Sequence, residues 1–211
     1  MLSPAGPSNT SSMGPRAEAA GLRLCLRSVT AEAHARLDHQ LGALDLAILP
    51  GYRQFLEINA AGLIPLEASL AAAGVDEVFP DWPLRSRKAA ILEDLARIGG
   101  HADPLPAPPP LDFGGLLGTM YVLEGSRLGA RVLLNAVKQS ANPQVLHATA
   151  FLRHGAGQHF WPSFLAILDR HSAPHHEAGA IDGALKAFAM FERATARVFG
   201  PKFAAAGMPA A

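Results

Sequence analysis

Cysteine is almost missing from this 211-residue chain: Cys25 stands alone, which excludes an intramolecular disulfide and a zinc site built from several cysteines. That scarcity agrees with a reducing compartment, and a cytoplasmic location is the expectation. Charge is scarce as well, at 17% of residues, and Lys+Arg and Asp+Glu balance at 18 each. Such a surface has no basic field to gather nucleic acid or anionic lipid. No uninterrupted apolar run approaches the roughly 18 residues of a membrane span. Also missing are the apolar–polar alternation that marks strands and any internal repeat.

Both ends are poor in residues that build a core. Residues 1–17 are rich in Ser, Pro, Gly and Asn and lack the apolar stretch of a secretory signal, so they read as a disordered leader. Residues 200–211, rich in Ala, Pro and Gly, read as a tail of the same kind. Between them, 18–199 is the expected folded domain, and 49% hydrophobic content suffices for a sizeable core.

Helical periodicity fills that domain. Leu22, Leu26, Val29, Ala33 and Leu37 recur at spacings of three or four and predict a helix over 18–41. Further helices are predicted over 51–73, bent at Pro65, and over 84–98, ending at Gly99-Gly100. Others are predicted over 112–139, over 144–170 with a break near Gly155, Gly157 and Pro162, and over 178–199. The five prolines of 101–110 make an extended connector. A single all-α domain with short loops is the expected architecture.

On the first helix, Arg27, Thr30, His34 and Asp38 follow steps of three, four and four and so share a stripe. Arg27 lies two turns before His34, roughly 10 Å along the axis. That distance suits a large ligand with a metal at one end and acidic groups at its edge, since guanidinium matches carboxylate in charge and shape. Asp38, one turn on, is placed to orient the ring nitrogen that does not bind metal. The competing reading is a boundary histidine with no ligand. His171, His175, His176 and Glu177 lack a recognised zinc spacing, and Cys25 is out of phase with His34 and reads as packing.

On the helix over 112–139, Gly118, Val122, Gly125, Gly129 and Val132 share one face. A glycine inside a helix costs about 1 kcal/mol relative to alanine. Either a closely packed helix or a flat ligand needing bare backbone offsets that cost, and glycine also permits a bend. Ser126, beside Gly125, is placed to hold water near a small gas. Glu124, Arg127 and Arg131 form a second stripe, expected to face solvent with an i,i+3 ion pair. The glycines match no phosphate-binding fingerprint. Together the two helices read as the two sides of a haem sandwich.

The segments Leu26-Arg-Ser-Val-Thr30-Ala-Glu-Ala-His34-Ala-Arg-Leu-Asp38 and Tyr121-Val-Leu-Glu-Gly125-Ser126-Arg-Leu-Gly129, in that order, resemble the haem oxygenase family. The likeness is greatest to its bacterial, biliverdin-producing members often associated with bacteriophytochromes, and it extends loosely over 22–199, including Trp161-Pro-Ser-Phe164-Leu. The resemblance implies a helical bundle holding haem between a proximal and a distal helix. His34 then matches the proximal iron ligand, Gly125 and Gly129 the distal glycines, and Arg27 a propionate contact. Thr30 and Tyr121 join them as haem-binding candidates, and catalysis falls to His34, Gly125, Ser126 and Gly129. Mammalian-type members carry an aspartate where this chain has Ser126, which removes a charge from the distal side.

The reaction implied by the resemblance uses haem as substrate and cofactor, with O2 and electrons from an external donor such as a ferredoxin or a reductase. It yields biliverdin, iron and carbon monoxide, and a bacteriophytochrome is a candidate receiver of the biliverdin. A haem carrier or sensor of the same fold without turnover is the alternative. A third reading is an interaction domain whose glycine face packs another helix.

Overall fold

Glycines and prolines punctuate the helices of this chain. The computed structural model describes residues 15–200. In chain order these form α1 (Pro15–Val29), α2 (Ala31–Gly42), α3 (Leu49–Ala72), α4 (Val75–Val78), α5 (Trp82–Arg85) and α6 (Lys88–Ile98). There follow α7 (Phe113–Ser126), a 3-10 turn (Arg127–Gly129), α8 (Ala130–Val137), α9 (Pro143–His147), α10 (Ala150–Arg153), α11 (Phe160–Arg170) and α12 (Pro174–Phe199). No strand occurs among the described residues. Gly74 and Gly99, at φ +72° and +65°, follow α3 and α6 in the left-handed conformation that closes a helix at little steric cost for glycine. Asp112 opens α7 by accepting the Gly115 N–H at 2.6 Å.

Helix α12 runs through the middle of the bundle, with α1, α2, α3 and α7 packed on it. Its contact with α7 is the most extensive and rests on small residues. Gly114 and Gly118 lie against the α12 backbone, and Gly183 lies against the backbone of Gly115. A β-carbon on Gly118 would collide with the Ala180 carbonyl, and one on Gly114 would stand 2.6 Å from the His176 carbonyl oxygen. By length and composition α3 is apolar enough to cross a membrane, yet most of it is buried inside the bundle. Leu56, Leu63, Leu66 and Leu70 are buried in the main core and Ile58 in a second cluster with Ala61 and Ala194, each contributing about 1.5–3 kcal/mol of burial.

Two polar contacts tie α9 and α10 to this core from far along the chain. Tyr52 of α3 donates its hydroxyl to the Ala148 carbonyl. Asp94 of α6, wholly buried, accepts the N–H groups of Ala150 and Phe151 at 2.9 and 2.8 Å. The carboxylate thereby caps a helix to which it does not belong.

The structure corrects several expected boundaries. The helix expected over 18–41 is two helices meeting at Thr30, whose hydroxyl donates to the Leu26 carbonyl at 2.7 Å; such back-bonding bends helices. The first of them begins at Pro15, inside the expected leader. The remainder of that leader and the tail after Gly200 lie outside the described residues. The helix over 112–139 is interrupted by the 3-10 turn, and 144–170 divides into α9, α10 and α11. Pro174 starts α12 four residues earlier than its apolar pattern shows.

Candidate functional site

His34 projects from α2 with 63% of its side chain exposed, although the residue before it, Ala33, is buried. Its Nδ1 lies 2.9 Å from Asp38 Oδ2, one turn later, so the carboxylate fixes which ring nitrogen carries the proton. The imidazole meets the edge of Phe188 from α12, with centroids 5.9 Å apart and planes at 62°. The ring is thus held on two sides, and Nε2 has no partner among the described residues.

The stripe that includes His34 is not uniform. Arg27 and His34 are exposed, but Thr30 is 3% exposed. Thr30 instead makes the joint with α7: the Tyr121 phenol sits beside its hydroxyl and within the field of the Arg23 and Arg27 guanidiniums. Burial pushes the Tyr121 phenol up, and those neighbours pull it part of the way back. His34 lies one turn beyond Thr30, and Gly125 lies one turn beyond Tyr121. From this joint α2 and α7 both lean on α12 without packing extensively on each other.

Gly125 and Gly129 differ sharply from the glycines at the start of α7. A β-carbon on Gly125 would meet only the Trp161 ring at 3.7 Å, and one on Gly129 would meet nothing within 4 Å. Trp161 also touches Tyr121, at 5.8 Å between centroids, so one indole covers a turn of α7. Neither glycine has a positive φ. Open space, not backbone conformation, distinguishes these positions. Leu128 and Val132 next to them remain 61% and 71% exposed, an apolar surface with no side chains over it.

Ser126 is exposed at the end of α7, but its hydroxyl turns back, donating to the Leu123 carbonyl at 2.8 Å and accepting from Arg87 Nη2 at 3.0 Å. Arg87 is buried, with its guanidinium 5.2 Å from the Phe151 centroid. Burial lowers its pKa to about 10, with Arg127 adding to the shift while Glu67 and Glu124 oppose it. Nothing in the local sequence marks Arg87, which lies 39 residues from its partner.

Behind the glycines the expected solvent-facing stripe proves to be interior. The i,i+3 pair between Arg127 and Glu124 forms at 3.1 Å, but Glu124 is 1% exposed and also pairs with the buried Arg85 at 3.2 Å. Only Arg131 of that stripe faces water. The wheel missed Arg85, which arrives from α5 and gives Glu124 a reason to be inside. His154 closes the cluster: its Nδ1 lies 3.1 Å from Arg127 Nη1 and, facing a donor, accepts. Burial and the guanidiniums of Arg127 and Arg87 lower its pKa to about 4, which keeps the ring neutral at pH 7.

These residues fit a haem. One imidazole nitrogen is held by a carboxylate and the other is unpartnered, the end of α7 and the turn after it offer two positions bare of side chain, and guanidinium and phenol groups stand at the joint between α2 and α7. Cavities of about 260 and 220 Å³ elsewhere, one beside His101 and Arg197 and one beside His154 and Gln158, include none of the candidate residues. His171, His175 and His176 make ring contacts around Phe113 and with each other, away from His34.

Comparison with known proteins draws on the whole arrangement. A haem oxygenase of Xanthomonas campestris pv. campestris (strain 8004) is 32% identical over 145 residues, covering 66% of this chain and 86% of that protein. Among solved structures, the NO- and CO-bound haem oxygenase of Neisseria meningitidis superposes with a TM-score of 0.67 at 22% identity, covering 85% of this chain and 92% of that one. No family model matches.

Proposed function

The chain belongs to the haem oxygenase family, and from that premise we propose that it cleaves haem with O2 and reducing equivalents to biliverdin, iron and carbon monoxide. The observation that carries the reading is the His34–Asp38 couple: an exposed imidazole whose Nδ1 is engaged at 2.9 Å, leaving Nε2 to take the iron. When bound, haem supplies both the oxygen-activating iron and the carbon atoms that are oxidised.

The chain's own residues divide the remaining work. Asp38 holds the His34 ring in one tautomer and orientation, as outer carboxylates do for metal-bound histidines. A neutral imidazole gives the iron less electron push than a thiolate would, which disfavours O–O cleavage. Gly125 and Gly129 let backbone approach the distal face, where any side chain would occupy the space of the gas. Arg27 and Tyr121 orient the acidic edge, and Thr30 holds the phenol in place. Ser126 and the buried Arg87 bond to each other at the end of α7, so neutral and positive groups stand where an aspartate would bring a negative charge.

A ferredoxin or a reductase supplies the electrons in this reading, a bacteriophytochrome is the receiver of the biliverdin, and the compartment is the cytoplasm. The test is direct: haemin is added to the purified protein with a reductant in air, and the pigment is extracted over several turnovers. Biliverdin in excess over protein is the expected result. A Soret band that persists unchanged under reductant would mean a carrier or sensor instead.

A further inference from the structure

We propose that Arg85, Glu124 and Arg127 are positioning residues that clamp the 3-10 turn between α7 and α8 from behind and so fix where Gly125 and Gly129 stand relative to bound haem; the inference rests on the functional reading above. The 3-10 turn at Arg127–Gly129 cannot support itself, because its hydrogen bonds are of poorer geometry than those of an α-helix. Its one glycine, Gly129, has no side chain with which to pack, and a β-carbon there would find nothing within 4 Å. Whatever sets the angle must act from the other face.

On that face Glu124 and Arg127 stand on either side of Gly125-Ser126 and close on each other at 3.1 Å, with Arg85 joining from α5 at 3.2 Å. The nitrogens of both guanidiniums are engaged. Arg85 reaches Asp81, the Phe160 carbonyl and the Ser163 hydroxyl, and Arg127 reaches the Arg85 carbonyl and His154. The Phe160 ring lies beside both, 4.8 Å from one guanidinium carbon and 5.1 Å from the other. The turn is thereby tied to α5, to the loop after α10 and to the start of α11. Buried ion pairs are weak stabilisers compared with apolar side chains of equal size. Their contribution here is direction, since a forked donor meets a carboxylate in few geometries. Position matters at this site because displacement by about 1 Å can slow an enzyme about a hundredfold.

Three variants test the clamp: Arg127→Lys, which keeps charge but loses the fork; Glu124→Gln, which keeps shape but loses charge; and the pair Glu124→Met with Arg127→Met, which removes both charges of that ion pair together and leaves Arg85 its Asp81 partner. Amide hydrogen exchange is measured first, without haem. Amides of 125–130 are expected to exchange about tenfold faster than in wild type, with those of 116–122 unchanged. Haem affinity and turnover follow, and turnover per bound haem is expected to fall about ten- to hundredfold while affinity changes less than about threefold. Exchange at 125–130 equal to wild type in all three variants would overturn the clamp, and faster exchange with unchanged turnover would overturn its positioning role. Wild-type protein that binds but never degrades haem would instead sink the functional reading, a result obtained in a separate sample.

Discussion

At the start of α7, Gly114 and Gly118 press against the α12 backbone, where a β-carbon on Gly118 would meet the Ala180 carbonyl; at its end, Gly125 has only an indole edge 3.7 Å away, and in the turn just beyond, Gly129 has open space. Gly118, Gly125 and Gly129 occupy one face of an ideal helix. Close packing at one end and open space at the other are therefore both present along one glycine stripe, divided by position. The packed end anchors the helix, and the anchored helix holds its far end bare. A glycine stripe thus has to be read residue by residue, from what each missing β-carbon would touch.

The same substitution at both ends breaks the comparison most severely. Gly118→Leu should cost about 3 kcal/mol or more, since the new atoms meet backbone that cannot yield, and chemical denaturation should show a large loss of midpoint. A midpoint equal to wild type would mean that α7 and α12 part without cost. His34→Ala should leave stability intact, the side chain being mostly exposed, while removing the wild-type ferric spectrum and most turnover. An unchanged spectrum would take His34 out of the mechanism.

Gly125→Leu and Gly129→Leu form the counterpart of the packed-end variant: helical content and denaturation midpoint are expected within about 1 kcal/mol of wild type, with haem binding or degradation impaired. Normal haem degradation by both would show that the open end is not covered by haem. Arg27→Ala should act more gently, weakening haem binding or yielding mixed biliverdin isomers with ligation kept. Chromatography of the products decides, and a single isomer at wild-type affinity would place Arg27 outside the site. The smallest effect is expected from Ser126→Ala. Its hydroxyl already serves the Leu123 carbonyl and Arg87, so a shorter lifetime of the oxy complex is expected with haem binding kept. Superimposable single-turnover traces would leave Ser126 a helix residue alone.

Sequence spacing singled out His34, Asp38 and the glycine pair as candidates, because each relation lies within one or two turns of one helix, and the His34–Asp38 contact forms as that spacing implies. It also gave the all-α architecture, since long amphipathic helices announce themselves by period. It did not give the break at Thr30, where a side-chain hydroxyl competes for the Leu26 carbonyl without altering the apolar pattern. The four-residue helices α4, α5 and α10 are too short to show a period at all. Periodicity puts Glu124 on the exposed side because a helical wheel describes only its own helix, and the partner that draws it inward, Arg85, lies 39 positions earlier. Polar contacts of that span are invisible to periodicity.

The borrowed cap on α10 has a consequence for the order in which the molecule assembles. Asp94 precedes the amides it satisfies by 56 and 57 residues, and Tyr52 precedes its acceptor by 96. A helix of four residues cannot nucleate by itself, so this one waits until two distant helices have met and a long loop has closed. The ring of Phe151 under Arg87 and the His154 imidazole against Arg127 belong to the same stretch. The contacts behind the 3-10 turn are therefore expected to form late, and a chain halted before that closure is expected to hold the His34 helix before the far end of α7 is fixed.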